Sequence, residues 1–164
     1  MLKKEKLEIK NIKKSSIKNS KFLRFVIGGV IATLAFNVAM YGDIAITGIP
    51  LDIPTTLGNL IVGEHESAQL VGNVIHFLNG IGLALLFGYV AIPISKRIVH
   101  LPIIVYSLAF VIIELIVAVW FGMLPALGAG IAGLNIAPEV PIMTLIRHVI
   151  FGIVLGLVVR SKVK

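Results

Sequence analysis

Residues 68–92 read AQLVGNVIHFLNGIGLALLFGYVAI, a run without a single Lys, Arg, Asp or Glu. A helix needs about 20 mainly apolar residues to cross the hydrocarbon core of a bilayer. This stretch meets that length, and three others do the same: residues 22–43, 101–124 and 142–159. The first of these reads as a span and not as a signal peptide. It is too long for an apolar signal core, has no small-x-small cleavage site and precedes three more spans. The expected fold is an all-α integral membrane protein, a four-transmembrane-helix bundle. Residues 1–21 form a basic cytoplasmic tail and residues 22–164 the transmembrane domain.

The composition agrees. Of 164 residues, 57% are hydrophobic and 14% charged, against roughly 25% charged in a soluble domain. There is no Cys, which excludes a disulfide, a thiol nucleophile and a Cys-ligated iron–sulfur cluster. The net charge of +7 is concentrated at the start, in Lys3, Lys4, Lys6, Lys10, Lys13, Lys14, Lys18, Lys21 and Arg24. A basic tail on an apolar body points to an anionic membrane leaflet as partner, beside the lipid bilayer itself. Nucleic-acid binding needs a basic face on a folded domain and is not expected. The tail carries Leu2, Ile9, Ile12 and Ile17, so a helix lying on the membrane and a solvated tail both remain open.

Charge also sets the orientation. Cytoplasmic connections are enriched in Lys and Arg. The tail, the turn with Lys96 and Arg97, and the C-terminus with Arg160, Lys162 and Lys164 all carry them. Residues 42–67 and 125–140 carry none, but hold Asp43, Asp52, Glu64, Glu66 and Glu139. An even number of spans puts the three basic segments on one side. The expected location is the inner cell membrane, with both termini cytoplasmic. In the outer loop GIPLDIPTTLGNLIVG (48–63), Asp52 precedes Pro54 and suits the start of a short helix. The Gly- and Ala-rich outer loop PALGAGIAGLNIAPEVP (125–141) suits a cap over the helices.

Small residues recur one turn apart, as helix contacts in lipid require: Gly28 and Ala32; Gly80, Ala84 and Gly88; Gly152 and Gly156. Spans two and four also align without gaps, HFLNGIGLALLFG (76–88) on HVIFGIVLGLVVR (148–160). The chain therefore reads as two pseudo-repeated hairpins in parallel orientation.

Ionisable groups inside a span cost about 2.5–3.5 kcal/mol at its centre on insertion scales, so each one calls for a function or a partner. His76 and His148 lie at matching depth, and each has a Gly one turn further on that leaves room beside the imidazole. Glu114 is near the middle of span three. Asn37 and Tyr41 are one turn apart in span one, Asn73 is placed to orient His76, and Arg147 is placed to snorkel outward or pair with Glu139 or Glu114. All of this polarity lies in the outer half. It predicts an outward-facing intramembrane site for a cofactor, metal or small ligand.

Three chemistries suit these residues. His76 and His148 as paired axial ligands would hold one haem b in an electron-transfer subunit. Met40, Met123 and Met143 with the imidazoles would suit copper. Glu114 and the two histidines would serve as titratable stations in a transporter or proton path, although the inner half offers little polar continuation. An accessory role with a membrane-complex partner, or as a homo-oligomer, stays open too. No GxSxG or HExxH motif supports a hydrolase, and no strand–GxGxxG–helix context supports nucleotide binding.

The second half, from Asn73 to Arg160, resembles the YagU-like family of uncharacterised bacterial inner-membrane proteins. The likeness lies in a His-led span ending near a Tyr (His76 to Tyr89) and a short basic turn. A span leaving through FGMLP (Phe121 to Pro125) follows, then a last span with Glu139 and His148. The resemblance implies a four-span topology and attention to His76, Glu114 and His148. Where that family has a polar His in the third span, this chain has Glu114. The resemblance implies no reaction.

Overall fold

The computed structural model describes residues 2–160, with side chains from Lys21 onward. The side chains of residues 1–20 of the basic tail, and the C-terminal Lys162 and Lys164, lie outside the described residues. Helix α1 runs Leu2–Thr47, α2 Ile53–Val62, α3 Ala68–Ile98, α4 Ile103–Ala126 and α5 Val140–Arg160. The described residues hold no strand, and one 3₁₀ turn, Ile131–Gly133, lies between α4 and α5. Four helices are long and apolar enough to cross a membrane: α1 from Lys21 onward, α3, α4 and α5. The end carrying α2 and residues 127–139 is called the loop end below, and the opposite one the terminal end.

Local chemistry sets the breaks. α1 stops where Gly48 takes φ 72° and its N–H closes on the Ile44 carbonyl at 2.8 Å, a conformation glycine adopts without steric cost. α2 starts where the Asp52 carboxylate accepts from the Thr55 N–H at 2.9 Å. Pro54 then occupies the first turn, where a missing N–H costs nothing. At the terminal end, the Tyr106 hydroxyl donates to the Val99 carbonyl and accepts from the Leu101 N–H at 2.9 Å, which ties down the turn between α3 and α4.

Two helices widen to i→i+5 bonding, over Phe87–Ala91 in α3 and Leu115–Met123 in α4. Each wide stretch stands just before a proline, Pro93 and Pro125. A proline inside a helix has no N–H to give and its ring collides with the carbonyl four residues back. Widening the preceding turn relieves both. Such turns gather at functional sites, and the one in α4 follows directly on Glu114.

α1 packs between α3 and α5, α4 packs on the other side of α5, and α2 packs on α3. Small residues make these approaches close. A Cβ on Gly29 would lie 2.7 Å from the Ile81 Cα, and one on Gly156 would lie 3.0 Å from the Ile104 Cα. α2 lies so near α3 that the backbone of Ala68 fills the side-chain position of Gly58, and the backbone of Pro54 fills that of Gly72. α3 and α4 meet near the terminal end, where the Phe87 and Phe110 rings stand 5.5 Å apart. Towards the loop end they leave a space between them. Residues 127–139 fold over that end, with Ala129, Ala132 and Gly133 buried.

Candidate functional site

The space between α3 and α4 is a cavity of about 330 Å³, at the small end of the range for ligand sites. Phe36 of α1 forms its back, and Ile53 and Leu57 of α2 its roof. α3 contributes His76, Asn79 and Leu83; α4 contributes Glu114, Ala118 and Met123; α5 contributes Thr144, His148 and Phe151. Asn79 and Ala118 line it and are also exposed. They mark a mouth in the side of the molecule, between two helices that can cross a membrane.

The structure brings His76, His148 and Glu114 to this one cavity. His76 stands eight residues past Ala68 and His148 eight residues past Val140, each about 12 Å along its helix at 1.5 Å per residue. Their depths match because both helices run the same way from the same end. The His148 Nδ1 lies 2.7 Å from the Thr144 carbonyl oxygen. A carbonyl only accepts, so Nδ1 carries its hydrogen and donates. Nε2 then faces the Glu114 Oε2 at 3.4 Å, an ion-pair distance too long for a good hydrogen bond. The Glu114 Oε2 and the His76 Nδ1 are buried without a hydrogen-bond partner.

Several sequence expectations resolve differently. Arg147 neither snorkels nor meets Glu139 or Glu114. It is fully buried and forms a bidentate pair with Asp43, with Nε–Oδ2 at 2.7 Å and Nη2–Oδ1 at 2.5 Å. Its third bond goes to the Leu51 carbonyl at 2.9 Å. The reason is reach: Asp43 lies in the last turn of α1, directly against α5, while Glu139 is exposed. Asn73 does not orient His76. It accepts from the Asn37 Nδ2 at 3.3 Å and donates to the Gln69 carbonyl at 2.8 Å. Tyr41, on the same helix as Asn37, is exposed and does not line the cavity. The glycines beside the histidines leave no room. Thr33 fills the space beside Gly80, and Val111 and Ser107 fill that beside Gly152.

These contacts test the cofactor readings. One haem iron between His76 and His148 would need the two imidazoles to face each other across the macrocycle. The Phe36 ring packs edge-on against both, with centroids at 5.0 and 5.2 Å, and Glu114 stands against the His148 Nε2. The residues present do not fit a paired-imidazole haem. Of the thioethers suited to copper, Met123 lines the cavity with both imidazoles. Among the described residues no three His, Cys, Asp or Glu side chains gather as a metal site. The Met40 sulfur accepts instead from the Ile53 N–H at 3.4 Å.

Sequence reasoning missed Asp43, Phe36 and Asn79. Asn79 had a signal, since it stands three residues from His76 and so shares its helix face. Asp43 had a weaker one, as the acid nearest an apolar span. Phe36 had none, because an aromatic inside an apolar helix reads as ordinary core.

Residues 20–162 match the family described as Family of unknown function (DUF6789). The chain belongs to that family. The DUF6789 match covers all the helices that can cross a membrane, and with them every residue of the cavity. No curated protein and no solved structure matches the chain.

Proposed function

We propose that this DUF6789 protein is a multi-pass protein of the inner cell membrane that binds a small, lipid-soluble ligand. In this reading both termini are cytoplasmic, and the cavity lies in the outer half of the bilayer. The basic residues at the terminal end support that orientation. The matching depth of His76 and His148 supports a descent from two related hairpins. The His-led α3 and the FGMLP exit of α4 support a kinship with the YagU-like proteins.

The observation that carries the ligand reading is that His76 and Glu114, which line one mostly apolar cavity, each hold a buried polar atom without a hydrogen-bond partner, Nδ1 and Oε2. A buried polar atom without a partner costs about 1–3 kcal/mol. A polar head group between them recovers that cost, and an apolar body is held by Phe36, Leu57 and Phe151. Asn79 and Ala118, both exposed, support a way in from the lipid. Native mass spectrometry of the protein in nanodiscs made from its host membrane tests this. The expected result is a bound small molecule on the wild type that is lost in Ala118→Trp, which fills the mouth. Equal bound mass in both proteins, or none in either, would overturn the reading.

A second reading is favoured by one observation. Asn79 is exposed within an apolar span, and a Cβ on Gly82 would meet nothing within 4 Å. An exposed amide and a bare backbone suit a helix from another chain. The same spectra read this directly, as a doubled or larger protein mass.

A further inference from the structure

We infer that the ligand of this cavity is an organic cation, a quaternary or protonated amine, which binds by exchange with one proton held between Glu114 and His148. The inference rests on the ligand-binding reading above and names the ligand's charge.

The charges around the cavity give its selectivity. Glu114 is the one acid lining it among the described residues. Arg147, next to His148 in sequence, does not line the cavity, and its charge is paired with the Asp43 carboxylate. Asp52, at the start of the roof helix, is engaged with the Thr55 N–H. The titratable groups left to face Glu114 are the imidazoles of His148 on α5 and His76 on α3; Phe36 is what α1 contributes to the cavity. The Asn79 carbonyl oxygen and the faces of Phe36 and Phe151 favour a cation. No Lys or Arg is among the residues that line the cavity.

The hydrogen bonds locate the proton. Nδ1 of His148 keeps its hydrogen on the Thr144 carbonyl, so Nε2 is the nitrogen turned to Glu114. Nε2 and the Glu114 Oε2 face each other at 3.4 Å. Two bare lone pairs at that separation, out of water, repel. The proton of the proposal belongs to this pair, either as imidazolium beside carboxylate or as imidazole beside carboxylic acid. A cation that reaches Glu114 takes over the role of that proton. The N–H or O–H bond breaks, the proton leaves to the aqueous phase, and His148 is left neutral. The cavity keeps the same total charge before and after, which is what a low-dielectric site requires. No covalent bond to the ligand forms.

The test is calorimetric titration of the detergent-purified full chain with benzyltrimethylammonium and, separately, with neutral benzyl alcohol. Buffers of different ionisation enthalpy report the protons released. The expected result is about one proton released per cation, with affinity rising about tenfold per pH unit while the pair holds its proton. Glu114→Gln is expected to lose the cation and keep benzyl alcohol, which also shows that this variant folds. Ala118→Trp is expected to lose both. Cation binding without proton release, or cation affinity unchanged in Glu114→Gln, would overturn the exchange. Binding of benzyl alcohol alone, sensitive to Ala118→Trp, would overturn the cation and leave the cavity reading standing. Failure of both probes would remove both.

Discussion

Arg147 takes a full charge into a position with no exposed surface, and its hydrogen bonds go to a single acid and a single carbonyl. Those two partners lie on either side of the Gly48 turn, so one side chain fixes both the end of α1 and the approach to α2. Removing one member of a buried pair leaves the other charged and unsolvated, at a cost of about 3–5 kcal/mol. Asp43→Asn is therefore expected to lower stability by about that much, read from reversible unfolding in mixed micelles. The double variant Asp43→Leu/Arg147→Met is expected to recover most of the loss. A single-variant cost within about 1 kcal/mol would mean that the pair is not what joins α1 to α5. At this scale the sequence was only partly legible. The depth of His76, His148 and Glu114 follows from counting residues along apolar spans, and the structure places all three on one cavity. The partner of Arg147 could not be found that way. Asp43 is 104 residues distant, and several acids were equally available. The glycines misled for a related reason. Spacing shows that a small residue is needed, but not whether a helix or a ligand occupies the space beside it.

At the scale of elements, the roof helix α2 depends on two glycines. The backbone of Ala68 fills the place beside Gly58, and that of Pro54 fills the place beside Gly72. No side chain can enter without moving one helix from the other. Gly72→Leu is expected to lift α2 and open the cavity from above. The chain has no native Cys, so Leu57→Cys provides a clean reporter on the roof. Its reaction with a water-soluble maleimide is expected to be slow in the parent and several-fold faster once Gly72→Leu is added. Equal rates in both would mean that α2 is not held by this contact. Of the elements, the apolar spans and the Asp52 start of α2 were legible, because length, charge and capping are local properties. The wide turns before Pro93 and Pro125 were not. A proline announces a disturbance, but which turn absorbs it depends on the packing of the whole helix.

At the scale of the molecule, Lys21, Arg24, Lys96, Arg97 and Arg160 lie towards the terminal end and the cavity lies towards the other. A phosphatase or fluorescent reporter fused after Lys164 is expected to report the cytoplasm, together with one at the N-terminus. Opposite signals from the two would contradict an even number of crossings. The side mouth at Asn79 and Ala118 also has a consequence for any measured affinity. A site that opens into hydrocarbon samples the ligand dissolved in the membrane, not the ligand in water. Each added methylene on an amphiphile favours the membrane by about 0.8 kcal/mol, close to fourfold in concentration. On the proposed ligand reading, apparent affinity along a homologous series, expressed against the aqueous concentration, will climb by that factor per carbon even where the cavity itself makes no new contact. Dilution with extra lipid at fixed protein will weaken it again. Partitioning, rather than fit, would then set the chain-length ranking of the ligands.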